Sequence, residues 1–176
     1  IYYRIPKESK IVGTEGTGDS PVASPDGTKI EIPPDALLEP TKIFIKVVPT
    51  EELTKPIYTP HSLIRLIGVA RDFGPSGLVF NRPVTITLPY TDADLDVDKD
   101  GQPDFQEDKL YIFFWDGGEW IKVGAKSRDQ ENNLVTAEVN HFTIFALAED
   151  LSPEIEQLKV FLTHNPFKVG EPTAFI

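Results

Sequence analysis

The sequence predicts an all-β protein, folded as an antiparallel β-sandwich. Short strand-like runs recur between proline, glycine and aspartate punctuation, many of them alternating with period two. No segment before the C-terminal end sustains a 3.6-residue period long enough for a major helix. The apolar share, 40% of 176 residues, is enough for a real core.

Taken in order, Thr28-Lys29-Ile30-Glu31-Ile32 alternates and follows the hairpin signal Asp26-Gly27. Pro33-Pro34-Asp35-Ala36-Leu37-Leu38 predicts a single helical turn, since proline is tolerated in a first turn. Residues 42–48 and 63–73 form longer apolar strands, and residues 84–88 alternate again. Residues 110–115 are aromatic and β-branched, and Asp116-Gly117-Gly118 turns the chain into a strand at 119–123. Residues 134–139 and 143–147 complete the set. Gly13 to Gly18 resembles a phosphate-cradling loop only in its glycines; it lacks the lysine and the strand-to-helix setting, and is expected to be a flexible surface turn.

Charge narrows the function classes. Lys and Arg number 17 against 28 acids, a net charge of −11, with a pI near 4.7. Such a chain repels nucleic acid and anionic membranes and suits divalent cations or basic partners, so nucleic-acid binding is rejected. No apolar run has the length of a membrane span, and no direct membrane insertion is expected. Ile1 in place of a starting methionine leads to the expectation of a processed or internal fragment. Without cysteine there is neither a disulfide framework nor a thiolate metal site.

One stretch carries specific chemistry. Calcium takes about six to eight oxygens, which loops supply from positions 1, 3, 5, 7, 9 and 12, with glycine at 6 for the sharp turn. Those positions here are Asp96, Asp98, Asp100, Gln102 through its backbone carbonyl, Asp104 and Glu107, with Gly101 at the turn. A random acidic run would put several acids between the slots. Asp92 and Asp94, spaced like the start of another loop, offer further ligands to this ion or to a second one. Two like charges about 4 Å apart cost about 1 kcal/mol in water and about 4 kcal/mol at an intermediate dielectric. The loop over residues 92–108 therefore repels itself until a cation sits among the carboxylates. Both flanks are expected to be strands, so the site is a clip across a strand connection rather than a helix-hinging sensor. Extracellular modules bind calcium with dissociation constants of about 10⁻⁴–10⁻³ M, which argues for an exported protein.

The punctuation also resembles a known family. Pro25-Asp26-Gly27-Thr28 with Ile32-Pro33-Pro34-Asp35-Ala36-Leu37, then Gly74-Pro75-Ser76-Gly77-Leu78-Val79-Phe80-Asn81-Arg82-Pro83-Val84, then His141-Phe142-Thr143, is similar to the ZU-five β-sandwich family. That family is known from ankyrins, netrin receptors and a tight-junction protein, and also from bacterial surface proteins. The resemblance covers residues 22–148. The calcium loop between two of the strands sets this chain apart from the animal members and closer to the bacterial, extracellular branch, so ankyrin-style spectrin binding is not carried over. The domain plan is then 1–21 as an N-terminal strand and linker, 22–148 as the sandwich with the calcium loop at 92–108, and 149–176 as a linker and first strand of a following module. Residues 158–170 are similar to the opening strand and Asn-Pro-Phe turn of bacterial immunoglobulin-like modules, and residues 160–167 are expected to be adhesive.

The resemblance implies one reaction. Some members cut themselves at His-Phe-Ser, and His141-Phe142-Thr143 matches with threonine as nucleophile. The Thr143 hydroxyl would attack the Phe142 carbonyl, His141 would take the proton, and water would hydrolyse the ester. His141 and Thr143 on one strand face with Phe142 on the other also satisfy packing alone. His61 and His164 have no partner motif and give no zinc signature. Phe113, Phe114, Trp115 and Trp120 offer rings for a sugar, a minor alternative among partners.

Two function classes emerge. One is a non-enzymatic, calcium-stabilised structural, adhesion or assembly module of a secreted or cell-surface protein, with other chains or neighbouring domains as partners. The other is an autoproteolytic domain cutting between Phe142 and Thr143.

Overall fold

The computed structural model describes residues 7–48, 58–59 and 62–152. The chain forms β1 (Lys7–Val12), β2 (Val22–Ala23), β3 (Lys29–Glu31), β4 (Thr41–Val48), β5 (Tyr58–Thr59), β6 (Ser62–Gly74) and β7 (Val79–Pro89). A single helical turn, α1 (Asp92–Leu95), and a 3-10 turn, Glu107–Lys109, lie within the next crossover. Then come β8 (Leu110–Trp115), β9 (Trp120–Gly124), β10 (Ser127–Asp129), β11 (Leu134–His141) and β12 (Ile144–Asp150).

Two antiparallel sheets result. One has seven strands in the order β1-β4-β6-β12-β8-β9, with β5 paired to β6; the other has five in the order β10-β11-β7-β3-β2. The all-β sandwich expected from the alternating runs is therefore what forms. Period two gives each strand one face for the interior, and the inward residues Ile30, Ile43, Phe73, Ile86, Val135 and Phe145 belong to one buried cluster. A second apolar cluster, with Phe113, Trp120 and Ala146, occupies the other face of the seven-stranded sheet. Phe113 alternates with the inward Ile112 on β8, so this aromatic strand is apolar on both faces.

The expected hairpins form. Between β2 and β3, the Ser24 N–H donates to the Thr28 carbonyl at 2.9 Å; between β8 and β9, the Asp116 N–H donates to the Glu119 carbonyl at 3.2 Å. Two local expectations are corrected. Pro33 to Ala36 is a reverse turn and not a helical one: the Ala36 N–H reaches the Pro33 carbonyl at 3.3 Å, and Asp35 stands at φ 62°, where a turn tolerates aspartate but a right-handed helix cannot continue. The glycine-rich turn at 13–18 is pinned. Buried Thr17 donates its N–H to the Ile32 carbonyl at 2.8 Å, and its hydroxyl accepts the Ile32 N–H at 3.0 Å. The strands anticipated at residues 1–5 and 158–170, and His61 and His164, lie outside the described residues.

The β2–β3 turn also ties the sheets together. The Arg71 side chain, from β6, is buried and donates through Nη2 to Asp26 Oδ2 at 2.7 Å. Burial alone would raise the Asp26 carboxyl. The Thr28 N–H, the Ser24 hydroxyl and the Arg71 guanidinium outweigh it and hold the group at about 2. A carboxyl depressed in the folded state stabilises the fold above its unfolded value, near 3.8, and loses that contribution as pH falls toward 2.

Two outcomes follow for urea unfolding. Asp26→Asn is less stable than the parent chain at neutral pH, and the gap narrows between about pH 4 and pH 2. Phe73→Ala, at a fully buried ring touching Phe142 and Phe145, loses about 3–5 kcal/mol.

Candidate metal centre

The acidic stretch is the crossover from β7 in the five-stranded sheet to β8 in the seven-stranded sheet. Both flanks are strands, as expected, and within the loop itself Thr91 starts a helical turn. The Thr91 hydroxyl accepts from the Asp94 N–H at 3.2 Å, and the Asp94 carboxylate accepts from the Thr91 N–H at 2.8 Å, a reciprocal capping box. This turn sits against β6 at Gly68, which has φ 60° in the bulged part of that strand. A side chain there would start 3.4 Å from the Asp94 carboxyl carbon.

Beyond α1 the chain winds around its own carboxylates. Asp96 Oδ1 accepts from the Asp100 N–H at 3.1 Å and Oδ2 from the Gly101 N–H at 2.9 Å. Asp98 Oδ1 also accepts from Asp100, at 3.1 Å, and Asp100 Oδ1 accepts from the Gln102 N–H at 2.8 Å. Gly101, with φ 86°, supplies the left-handed step that the sixth slot of such a loop requires. Asp104 closes the turn by accepting from the Val97 N–H at 2.7 Å. The outcome is that oxygens of Asp96, Asp98 and Asp104 lie within 4.8 Å of one another, with Asp98 and Asp104 exposed.

The other predicted positions are placed differently. Asp100 and Gln102 are exposed on the loop beside the triad. The Glu107 Oε1 atom accepts from the Tyr90 hydroxyl at 2.7 Å, while Oε2 has no hydrogen-bond partner among the described residues. Burial, and then the Glu107 carboxylate, raise the Tyr90 phenol above its ordinary value. Asp92 Oδ1 accepts from Asn133 Nδ2 at 2.8 Å, and Asp94 serves the cap. Neither belongs to the triad. A cleft of about 570 Å³ runs alongside, lined by Asp92, Asp96, Gln102, Phe105, Glu107 and Asn133 among others.

Three residues escaped the sequence reading. Tyr90 meets Glu107, and Arg65 and Glu149 hold the far side of the loop to the sheet. Glu149 has no exposed side-chain surface and accepts from Arg65 Nε at 2.8 Å and from the Gln106 N–H at 2.9 Å. The available signal was the single charge inside the otherwise apolar run Leu63-Ile64-Arg65-Leu66-Ile67; Glu149, first of the acidic pair Glu149-Asp150 at the end of an apolar run, gave none.

At the opposite candidate, His141 ends β11 and Ile144 begins β12, so Phe142 and Thr143 cross between the sheets. Phe142 is fully buried, its ring 4.6 Å from that of Phe80 and 5.8 Å from that of Phe73. Its carbonyl accepts from the Gly77 N–H at 2.8 Å. The Thr143 hydroxyl donates to the Trp115 carbonyl at 3.0 Å, and the His141 ring stands edge-on to Phe114 at 4.9 Å. Of the four rings considered for a sugar, Phe113 and Trp120 are buried, and Trp115 lies against Trp120 at 5.5 Å.

Two antiparallel sheets whose connections carry the polar clusters define an all-β sandwich module. Residues 9–101 match the family model described as the ZU5 domain, and the chain belongs to that family. The match runs from β1 into the acidic crossover. Membership in this family supports protein partners for the chain. No curated protein matches the chain. Among the described residues no helix is long and apolar enough to cross a membrane.

Proposed function

We propose that the chain is a calcium-stabilised structural and adhesion module of a secreted or cell-surface protein, with Asp96, Asp98, Asp100, the Gln102 carbonyl, Asp104 and Glu107 as the ligand set. The approach of the Asp96, Asp98 and Asp104 oxygens to within 4.8 Å carries this reading, because three carboxylates that close repel one another unless a cation lies between them. The glycine at slot six adds to it, as does Glu107 Oε2 at slot twelve, which accepts no hydrogen bond among the described residues. Weak binding of the kind such loops have outside cells would keep the crossover ordered where calcium is plentiful.

With calcium at about a hundred times the dissociation constant, binding adds about 2.7 kcal/mol, or about 5–10 °C in the melting midpoint of a domain this size. Scanning calorimetry with and without chelator measures it. The shift is expected in the parent chain and is largely lost in Asp98→Ala and in Glu107→Ala. A midpoint indifferent to calcium overturns the reading.

One observation favours a second reading, self-cleavage between Phe142 and Thr143. The Gly77 N–H already sits 2.8 Å from the Phe142 carbonyl oxygen, where an oxyanion would develop. Against it, the Thr143 hydroxyl is committed to Trp115 and not to His141. Mass spectrometry after long incubation decides: a cutting chain yields fragments meeting at Phe142 and Thr143 that Thr143→Ala abolishes, whereas a single species at 19.6 kDa removes this reading.

A further inference from the structure

The two halves of the acidic crossover are held in different ways. From Asp96 to Gln102 the carboxylates of Asp96, Asp98 and Asp100 accept from backbone N–H groups of the loop itself. From Asp104 to Gln106 the chain is fastened to the seven-stranded sheet. Arg65 Nη2 donates to the Asp104 carbonyl at 2.6 Å, the Arg65 guanidinium lies 4.3 Å over the buried Phe105 ring, and Glu149 Oε1 accepts the Gln106 N–H. Arg65 comes from β6 and Glu149 from β12, paired strands on which these two residues are register partners.

Stability alone is a poor reason for this pair. Removing a carboxylate from water costs several kcal/mol, and apolar residues of similar volume often replace a buried ion pair with no loss. What an apolar pair cannot do is orient backbone groups. Here the guanidinium takes the Asp104 carbonyl and the carboxylate takes the Gln106 N–H. With its backbone fixed, Asp104 turns its side chain back to the Val97 and Asp98 N–H groups and into the triad.

We infer that Arg65 and Glu149 are positioning residues of the calcium loop: they touch no ion, yet they fix where Asp104 presents its carboxylate and thereby set how tightly the loop binds. The inference rests on the calcium reading above. It also joins the loop to the end of β12, because the Leu151 N–H, two residues past Glu149, donates to the carbonyl of Leu63, two residues before Arg65, at 2.9 Å.

The test compares the parent chain with Arg65→Met/Glu149→Leu, which keeps apolar volume at both positions and removes the bonds to residues 104 and 106. Calcium affinity is read by titration calorimetry, and fastening of the loop by hydrogen exchange at the Gln106 amide without metal. The double variant is expected to melt near the metal-free parent, to exchange Gln106 faster, and to bind calcium about 10- to 100-fold more weakly, as loss of outer-shell support does in other metal sites. Lys126→Gln, which breaks only the exposed pair with Glu138, should bind like the parent. If the double variant does not fold, Arg65→Lys decides, since one ammonium cannot reproduce the guanidinium fork between Glu149 and the Asp104 carbonyl. A parent that binds calcium alongside a folded variant with unchanged affinity overturns the inference alone. A parent that gives no binding heat overturns the calcium reading and the inference together.

Discussion

The sandwich depends on aromatic packing where the chain changes sheets. Phe73 from β6, Phe80 from β7, Phe142 at the β11–β12 corner and Phe145 from β12 form one chain of ring contacts that spans both layers. Each ring buries a large apolar area and prefers edge-on or offset neighbours, so the cluster fixes distance and orientation between the sheets. Phe142 sends its side chain inward, while its N–H and carbonyl are taken by Leu78 and Gly77. The same corner carries the His-Phe-Thr motif, so packing and the motif make identical demands on Phe142.

With the layers fixed, the crossovers have to satisfy their own polar groups, and they do so by three means. The β2–β3 turn uses Asp26 against buried Arg71. The glycine-rich turn uses the Thr17 hydroxyl as a surrogate backbone partner for Ile32. The acidic crossover uses its aspartates, one half turned inward on itself and the other fastened to the sheet by Arg65 and Glu149. The span matched to the ZU5 domain, residues 9–101, contains the first two and the start of the third.

The strands were legible because alternation is written residue by residue: Ile30, Ile32, Val84, Ile86 and Leu88, the apolar members of the two alternating runs, are all buried. The register of the carboxylate slots was equally local, and Asp96, Asp98 and Asp104 converge. What was not legible depends on partners distant in sequence. Nothing near Glu107 announces Tyr90, and nothing near Gln106 announces Glu149, 43 residues away. The capping box at Thr91 and Asp94 was present in the sequence, but its acid had been read only as a metal ligand. Asp35 was read as helical because a proline pair opens a helix as readily as a turn, and only its left-handed φ separates the two.

The self-contained wrapping of residues 96–102 has an evolutionary corollary. A segment whose backbone needs are met from within asks little of its host beyond two fixed end points, so it can be lengthened, lost or transplanted into another inter-sheet connection while the scaffold stays intact. A sandwich lineage can thus restyle such a connection at one rim, leaving its interior grammar untouched.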